Sequence, residues 1–193
     1  MQLRERFLPS YLVQLQQLYH HKTLVAGYIS APRSRELVNL IRFELNQEDG
    51  HASELSDSDR VRHLVDVTVA HFFLKPYTRS IIFKNHAAIC DYYPEHLQPY
   101  FFYLHVGDEI GRVEIPAWIA LDDAYVDLIA QVILDQCAKG YGYPVALAEA
   151  HEQAVVKGPD REFFYQLISK IGIEQKKCLV PSQKSVKKRR IGF

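Results

Sequence analysis

The chain has 193 residues, a formal net charge of zero, 48% hydrophobic residues and 24% charged residues. This composition is typical of one globular domain and argues against a disordered chain. Three dispersed cysteines with no C-x-x-C pair indicate neither a disulfide framework nor a zinc module, and no apolar segment is long enough to span a bilayer. We therefore expect a cytoplasmic protein with no membrane association.

The first half of the chain is predicted to alternate helices with short strands. Leucines recur at helical spacing near the amino terminus, and the "SRELVNLIRFEL" segment has the apolar spacing of an amphipathic helix. Short runs of β-forming residues lie between the helical segments. The predicted elements are helices at 8–21, 34–45 and about 59–74 and strands at 23–30 and 79–84.

The second half is predicted to contain a hairpin followed by a long helix. Strands at 100–106 and 110–120 are joined by "GDE", and acidic residues begin a helix at 122–140 that Gly140 ends. "YPVALA" (143–148) is predicted as a strand that leads into a helix carrying His151. Strands interleaved with helices predict an α/β fold with a mixed sheet flanked by helices.

Asp66 lies in "RHLVDVTVAHFF", an otherwise apolar segment of predicted helix. A carboxylate in such a setting is costly to bury unless it is paired or binds a metal ion. The same pattern also fits an aspartate on the solvent side of the helix, and His71 is five residues away, off the same face. The sequence leaves both interpretations open.

His151 is flanked by Glu149 and Glu152, and Tyr143 precedes it by eight residues. Open α/β sheets bind ligands at the carboxyl ends of their strands, which favours a functional histidine at a strand-to-helix junction. A structural histidine, satisfied by a neighbour, is the alternative.

Charged residues elsewhere also have two interpretations. Arg112 and Glu114 share one face of a predicted strand, either as a site pair or as part of a cross-strand salt bridge. The last ten residues carry five basic side chains, which either follow nucleic-acid phosphates or form a solubilising tail. No glycine-rich phosphate loop, G-x-S-x-G or H-E-x-x-H motif supports a P-loop hydrolase, a serine hydrolase or a zincin.

Five segments, following one another in family order, resemble the NurA family of DNA-repair nucleases, particularly its bacterial type. The segments are "LVAGYISAPRSRELVNLIR" (24–42), "LVDVTVAHFFLKPYTRSIIF" (64–83), "FFYLHVGDEIGRVEIPAWIA" (101–120), "DQCAKGYGYPVALAEAHEQAVVKGPDREFF" (135–164) and "SQKSVKKRR" (182–190). The resemblance implies an RNase H-like core and manganese-dependent hydrolysis of DNA, by single-strand endonuclease and exonuclease activities. It also implies a homodimer that docks on a HerA-type hexameric ATPase in end resection of double-strand breaks.

The resemblance assigns roles to individual residues. Asp66 matches a metal-binding aspartate of the family, and Tyr143 and His151 match the tyrosine and histidine of a late motif. Carboxylates that hold Mn²⁺, or Mg²⁺ as the alternative, activate water in such nucleases, and Glu114 is a second candidate ligand. The residues expected to hold the DNA backbone are Arg33, Arg79, Lys184, Lys187, Lys188, Arg189 and Arg190.

The sequence departs from the family at its amino terminus. The family's core opens with a strand that ends in an aspartate, in a "V-D-G-S"-like stretch, whereas this chain has only the leucine-spaced helix there. We therefore expect the chain to be the later part of a NurA-type protein, with a partial nuclease domain at 1–180 and a basic tail at 181–193. The alternative function is a catalytically incomplete dimerisation module that binds DNA or the HerA-type ATPase.

Overall fold

Both helices and strands are present in a computed structural model, which describes residues 3–48 and 63–155 and residues 163, 164, 166, 167 and 170. The helices are α1 (Leu3–His20), α2 (Glu36–Glu48), α3 (Asp66–Phe73), α4 (Ala117–Ala120), α5 (Asp123–Lys139) and α6 (Val145–Ala154). The strands are β1 (Gly27–Ile29), β2 (Phe83–Lys84), β3 (Pro99–His105) and β4 (Ile110–Pro116).

The chain divides into two compact units, Met1–Ala148 and Glu149–Phe193. All four strands named above lie in the first unit. None of the helices in the described ranges combines the length and the hydrophobicity needed to cross a membrane. The predicted boundary between a domain at 1–180 and a tail at 181–193 falls outside the described residues.

The four strands form one sheet in the order β1-β4-β3-β2. Every pairing in it is antiparallel, and the β3–β4 hairpin runs in register from Pro99 opposite Pro116 to His105 opposite Ile110. The predicted hairpin and the α/β class are confirmed. The sheet differs from the predicted mixed sheet, because no parallel pair occurs among the described strands.

The two faces of the sheet pack against different helices. Because side chains alternate along a strand, Phe102 and Val113 lie on one face, where they join the core formed with α5. Phe101 and Tyr103 lie on the other face, where they pack with Ala70 of α3. We call these the α5 face and the α3 face.

The predicted strand at 143–148 is wrong, because α6 begins at Val145. The carbonyl oxygen of Pro144 accepts hydrogen bonds from the backbone N–H groups of Leu147 and Ala148, at 3.0 Å each. Proline has a fixed φ near the helical value and suits a helix start, and the alanines and leucine that follow favour a helix. The segment before His151 is therefore a turn at Pro144 followed by the first residues of α6, rather than a strand.

Gly140 ends α5 and lets the following turn fold back closely. Its N–H group bonds to the carbonyl oxygens of Gln136 at 2.9 Å and Cys137 at 3.1 Å. A Cβ atom at residue 140 would overlap the carbonyl oxygen of Tyr143. The turn that carries Tyr143 therefore depends on a residue without a side chain at this position.

Gly140→Ala is expected to lower the free energy of unfolding by about 1–3 kcal/mol, because the backbone around Tyr143 must shift. Gly27→Ala is the matched control, since a Cβ there would lie 3.9 Å from its nearest neighbour, the Cβ of Glu114. Urea denaturation of both variants measures the difference. Equal stabilities would contradict the close packing at Gly140.

Candidate active site

Asp66 is fully buried, with 0% of its surface exposed, at the first residue of α3. Its Oδ1 atom accepts the backbone N–H of Val38 at 2.9 Å, and its Oδ2 atom accepts the hydroxyl of Tyr103 at 2.6 Å. The Asp66 N–H group donates to the carbonyl oxygen of Ser34 at 3.0 Å. The interpretation that places Asp66 on the solvent side of its helix is wrong, and hydrogen bonds compensate the burial of its carboxylate.

The carboxylate of Asp66 lies at the amino-terminal ends of two helices. Val38 is in the first turn of α2, where backbone N–H groups have no partner within the helix, and Asp66 supplies one from outside. Asp66 also heads α3, where Val65 provides no side-chain cap. Asp66 therefore satisfies a backbone donor of α2 and is at the same time the first residue of α3.

Tyr103 joins Asp66 to the sheet. Its hydroxyl also lies 2.9 Å from the hydroxyl of Ser34. Burial, followed by the hydrogen bond to Asp66, raises the pKa of Tyr103 above its ordinary value. Tyr103 therefore remains protonated and donates a hydrogen bond to Asp66.

Arg112 lies beside Tyr103 on the α3 face, since the two residues are paired in the register of β3 and β4. Its guanidinium bonds to Glu36 Oε1 at 2.7 Å and to Glu114 Oε1 at 2.9 Å. It also lies over the ring of Phe101, at 3.7 Å from the ring centroid. Burial opposes the charge, but the hydrogen bond to Glu36 and the negative charges of Glu36 and Glu114 outweigh it and raise the pKa of Arg112.

These side chains form two hydrogen-bonded groups, one around Asp66 and one around Arg112, and the register pairing of Tyr103 with Arg112 places the groups side by side on the α3 face. We call the two groups together the polar cluster. Its members are Ser34, Glu36, Asp66, Tyr103, Arg112 and Glu114. Arg112 and Glu114 do form an ion pair, but along one strand rather than across two, and Glu36 also bonds to Arg112. A role of Glu114 as a site residue stays a prediction. Sequence spacing does not indicate that Glu36, Ser34 or Tyr103 belongs to this site. Strand alternation predicts only that Phe101, Tyr103 and His105 lie on one face of their strand.

The polar cluster does not fit a manganese centre as it is formed. Both carboxylate oxygens of Asp66 accept protein donors, and Glu114 binds the guanidinium of Arg112. Within residues 3–48 and 63–155, no three His, Cys, Asp or Glu side chains are grouped so as to hold a metal ion. We therefore assign no step of a reaction to a metal ion at Asp66 or Glu114.

Tyr143 lies away from the polar cluster. Its ring packs edge-on against the ring of Tyr28, with 5.9 Å between centroids. Tyr28 belongs to the α5 face, because it is paired with Val113 and packs against that core. Asp66 contacts the α3 face, so the structure does not bring Asp66 and Tyr143 together.

The Tyr28 side chain is itself tied to the β3–β4 turn. Its hydroxyl donates to Glu109 Oε1 at 2.8 Å, and Ser30 donates to Glu109 Oε2 at 2.9 Å. Burial, then the hydrogen bond to Glu109 and its charge, raises the pKa of Tyr28. Tyr28 therefore stays a neutral phenol, and its hydrogen bond to Glu109 fixes the ring against which Tyr143 packs.

His151 belongs to the second unit and is exposed on α6. Its carbonyl oxygen accepts the N–H of Val155 at 3.1 Å, and the neighbouring Glu149 accepts a hydrogen bond from Gln153 at 2.7 Å. The interpretation of His151 as a core histidine is wrong, because its side chain faces solvent. The predicted catalytic role stays a prediction.

The predicted DNA-binding arginines differ in their surroundings. Arg33 is exposed. Arg79 bonds to Asp127 at 2.7 Å and lies 3.5 Å from Asp123, so its charge is already paired with α5. The basic residues Lys184, Lys187, Lys188, Arg189 and Arg190 lie outside the described residues.

Residues 3–156 match the family model of the NurA domain, which covers the whole sheet and the polar cluster. The chain belongs to the NurA family. NurA proteins are nucleases, so the chain has a nuclease-family role in DNA processing. No curated protein and no solved structure matches the chain.

Proposed function

We propose that this NurA-family chain is a manganese-dependent DNA nuclease, with single-strand endonuclease and exonuclease activities, that acts in the resection of DNA ends. The match of residues 3–156 to the NurA domain carries this proposal. Magnesium is the alternative metal. The proposed setting is a cytoplasmic homodimer that docks on a HerA-type hexameric ATPase.

His151 is the residue on which we base the test of catalysis. It is exposed, so its imidazole is open to a substrate, and it lies within the matched domain. A histidine near a scissile phosphodiester can transfer a proton to or from the reacting oxygen atoms. Asp66 is a poorer test, because its replacement also removes two buried hydrogen bonds.

A second candidate function is a non-catalytic module that binds DNA or the ATPase. The placement of Asp66 and Tyr143 on opposite faces of the sheet favours it, as does the occupation of the Asp66 and Glu114 carboxylates by protein donors. Such a module would hold DNA through exposed basic residues such as Arg33. Its retention of DNA would weaken steeply as salt rises, because phosphate contacts release counterions.

Cleavage of end-labelled single-stranded DNA, in Mn²⁺ and in EDTA, distinguishes the two functions. We expect cleavage that requires the metal, and we expect His151→Ala to slow it by about 100-fold or more. His86→Ala is the control, since His86 is an exposed histidine outside the proposed site. Cleavage that survives His151→Ala unchanged would rule out the catalytic role of that residue.

Absence of cleavage by the wild type would contradict the nuclease proposal for this chain. If DNA is still retained on a filter, and the retention falls as the salt concentration rises, the binding module is supported instead. Arg33→Ala is then expected to weaken retention. Arg79→Ala should have a smaller effect, because Arg79 is paired with Asp127 and Asp123.

A further inference from the structure

Arg112 lies between two carboxylates, those of Glu36 and Glu114, and bonds to both of them. Glu36 Oε1 and Glu114 Oε1 are 2.7 Å and 2.9 Å from its two terminal nitrogen atoms, and Glu114 Oε1 also accepts the Nε–H at 3.0 Å. Only 5% of the Arg112 side chain is exposed, against 44% for Glu36 and 36% for Glu114. The positive group is therefore buried, and both negative groups reach solvent.

The surroundings of Arg112 hold its guanidinium in this position. The residue is on β4, in the interior of the four-stranded sheet, and its guanidinium lies over the ring of Phe101. Attraction between a cation and an aromatic face strengthens as water is excluded. Unlike a lysine, an arginine does not lose its charge when it is buried, so it cannot leave an uncharged gap for another cation.

We propose that Arg112 is the resident cation of the Glu36–Glu114 pair, which therefore takes up no divalent metal ion. Hard divalent ions bind carboxylate oxygens directly, in a nearly regular shell of ligands. Here such an ion would have to displace the N–H donors from the two Oε1 atoms, or bind next to them, and in either case it would remain beside a fixed positive charge. The proposal concerns binding to this pair and stands whether or not the chain cleaves DNA.

Mn²⁺ titration of the full chain, with free Mn²⁺ followed by electron paramagnetic resonance, tests the proposal. Wild type and Glu114→Gln are expected to bind the same number of ions with the same affinity. Glu44→Gln is the control for the loss of one charge, since Glu44 is an exposed residue of α2. If Glu114→Gln alone loses a bound ion, the pair does bind metal and the proposal is overturned.

Removal of the guanidinium gives the complementary measurement. Arg112→Met is expected to bind one Mn²⁺ ion more than wild type, and Arg112→Met/Glu114→Gln is expected to lose that ion. A folded Arg112→Met variant with no additional ion would overturn the proposal. If that variant does not fold, the proposal is tested by the number of Mn²⁺ ions bound by wild type and by Glu114→Gln alone.

Arg79→Met is the matched control for the arginine substitution. Arg79 also joins two carboxylates, Asp123 and Asp127, but both of these are largely exposed. We expect no additional ion in this variant. An equal gain in Arg79→Met would show that any freed pair of carboxylates binds Mn²⁺, and it would overturn a special role for Arg112.

Discussion

Asp66→Ala is expected to lower the free energy of unfolding by about 3–6 kcal/mol, since it removes two hydrogen bonds to a charged group. The substitution leaves the N–H of Val38 and the hydroxyl of Tyr103 buried without their acceptor. For a chain of this size each kilocalorie corresponds to roughly 2–4 °C in Tm. Thermal unfolding followed by circular dichroism measures the change.

Two comparisons separate this effect from the loss of an aspartate in general. Asp135→Ala, at an exposed position of α5, is expected to change stability by no more than about 0.5 kcal/mol. Tyr103→Phe should cost less in the Asp66→Ala background than in wild type, because the two side chains share a hydrogen bond. Additive effects of the two substitutions would contradict the structure.

Arg112→Met is expected to lower the free energy of unfolding by about 3 kcal/mol, the lower end of the range for breaking a buried ion pair. The lower end applies because Glu36 and Glu114 are partly exposed and can turn toward water when the guanidinium is lost. The methionine keeps most of the aliphatic contacts but loses the attraction to the ring of Phe101.

Arg79→Met is again the matched control, and it should cost no more than about 1 kcal/mol, as for other exposed ion pairs. Arg79 bonds to Asp127 at 2.7 Å, as close as Arg112 is to Glu36, so distance alone does not distinguish the two arginines. The two arginines differ in burial, with 5% of the Arg112 side chain exposed and 23% of the Arg79 side chain. The loss of stability in Arg112→Met should therefore persist at high salt, where exposed pairs are screened. Equal losses in the two variants would contradict this account.

Local patterns predicted those parts of the fold that depend on neighbours in sequence. The α5 helix was predicted from its apolar spacing, its acidic start and Gly140, and Asp122 does cap it by accepting the N–H of Ala124 at 3.0 Å. "YPVALA" was misassigned because a short apolar run has no periodicity that separates strand from helix. The segment is helical because the carbonyl oxygen of Pro144 accepts the N–H groups of Leu147 and Ala148 and so begins α6.

The candidate site depended on contacts that sequence spacing does not show. Asp66 bonds to Val38 and Tyr103 across 28 and 37 residues, and Arg112 bonds to Glu36 across 76. The sequence allows either a buried Asp66 or one on the solvent side of its helix, and it gives no means of predicting Val38 and Tyr103 as the hydrogen-bond partners of the buried carboxylate. The family resemblance matched Asp66 and Tyr143 in order along the chain, and order does not reveal that they contact opposite faces of one sheet.

The position of Asp66 at two helix starts also has a consequence for cooperativity. The first turn of α2 obtains its acceptor only when α3 is docked, and α3 begins with the residue that supplies it. Tyr103 ties the same carboxylate to β3. We therefore expect α2 and α3 to open and close together, as a single cooperative unit attached to one face of the sheet.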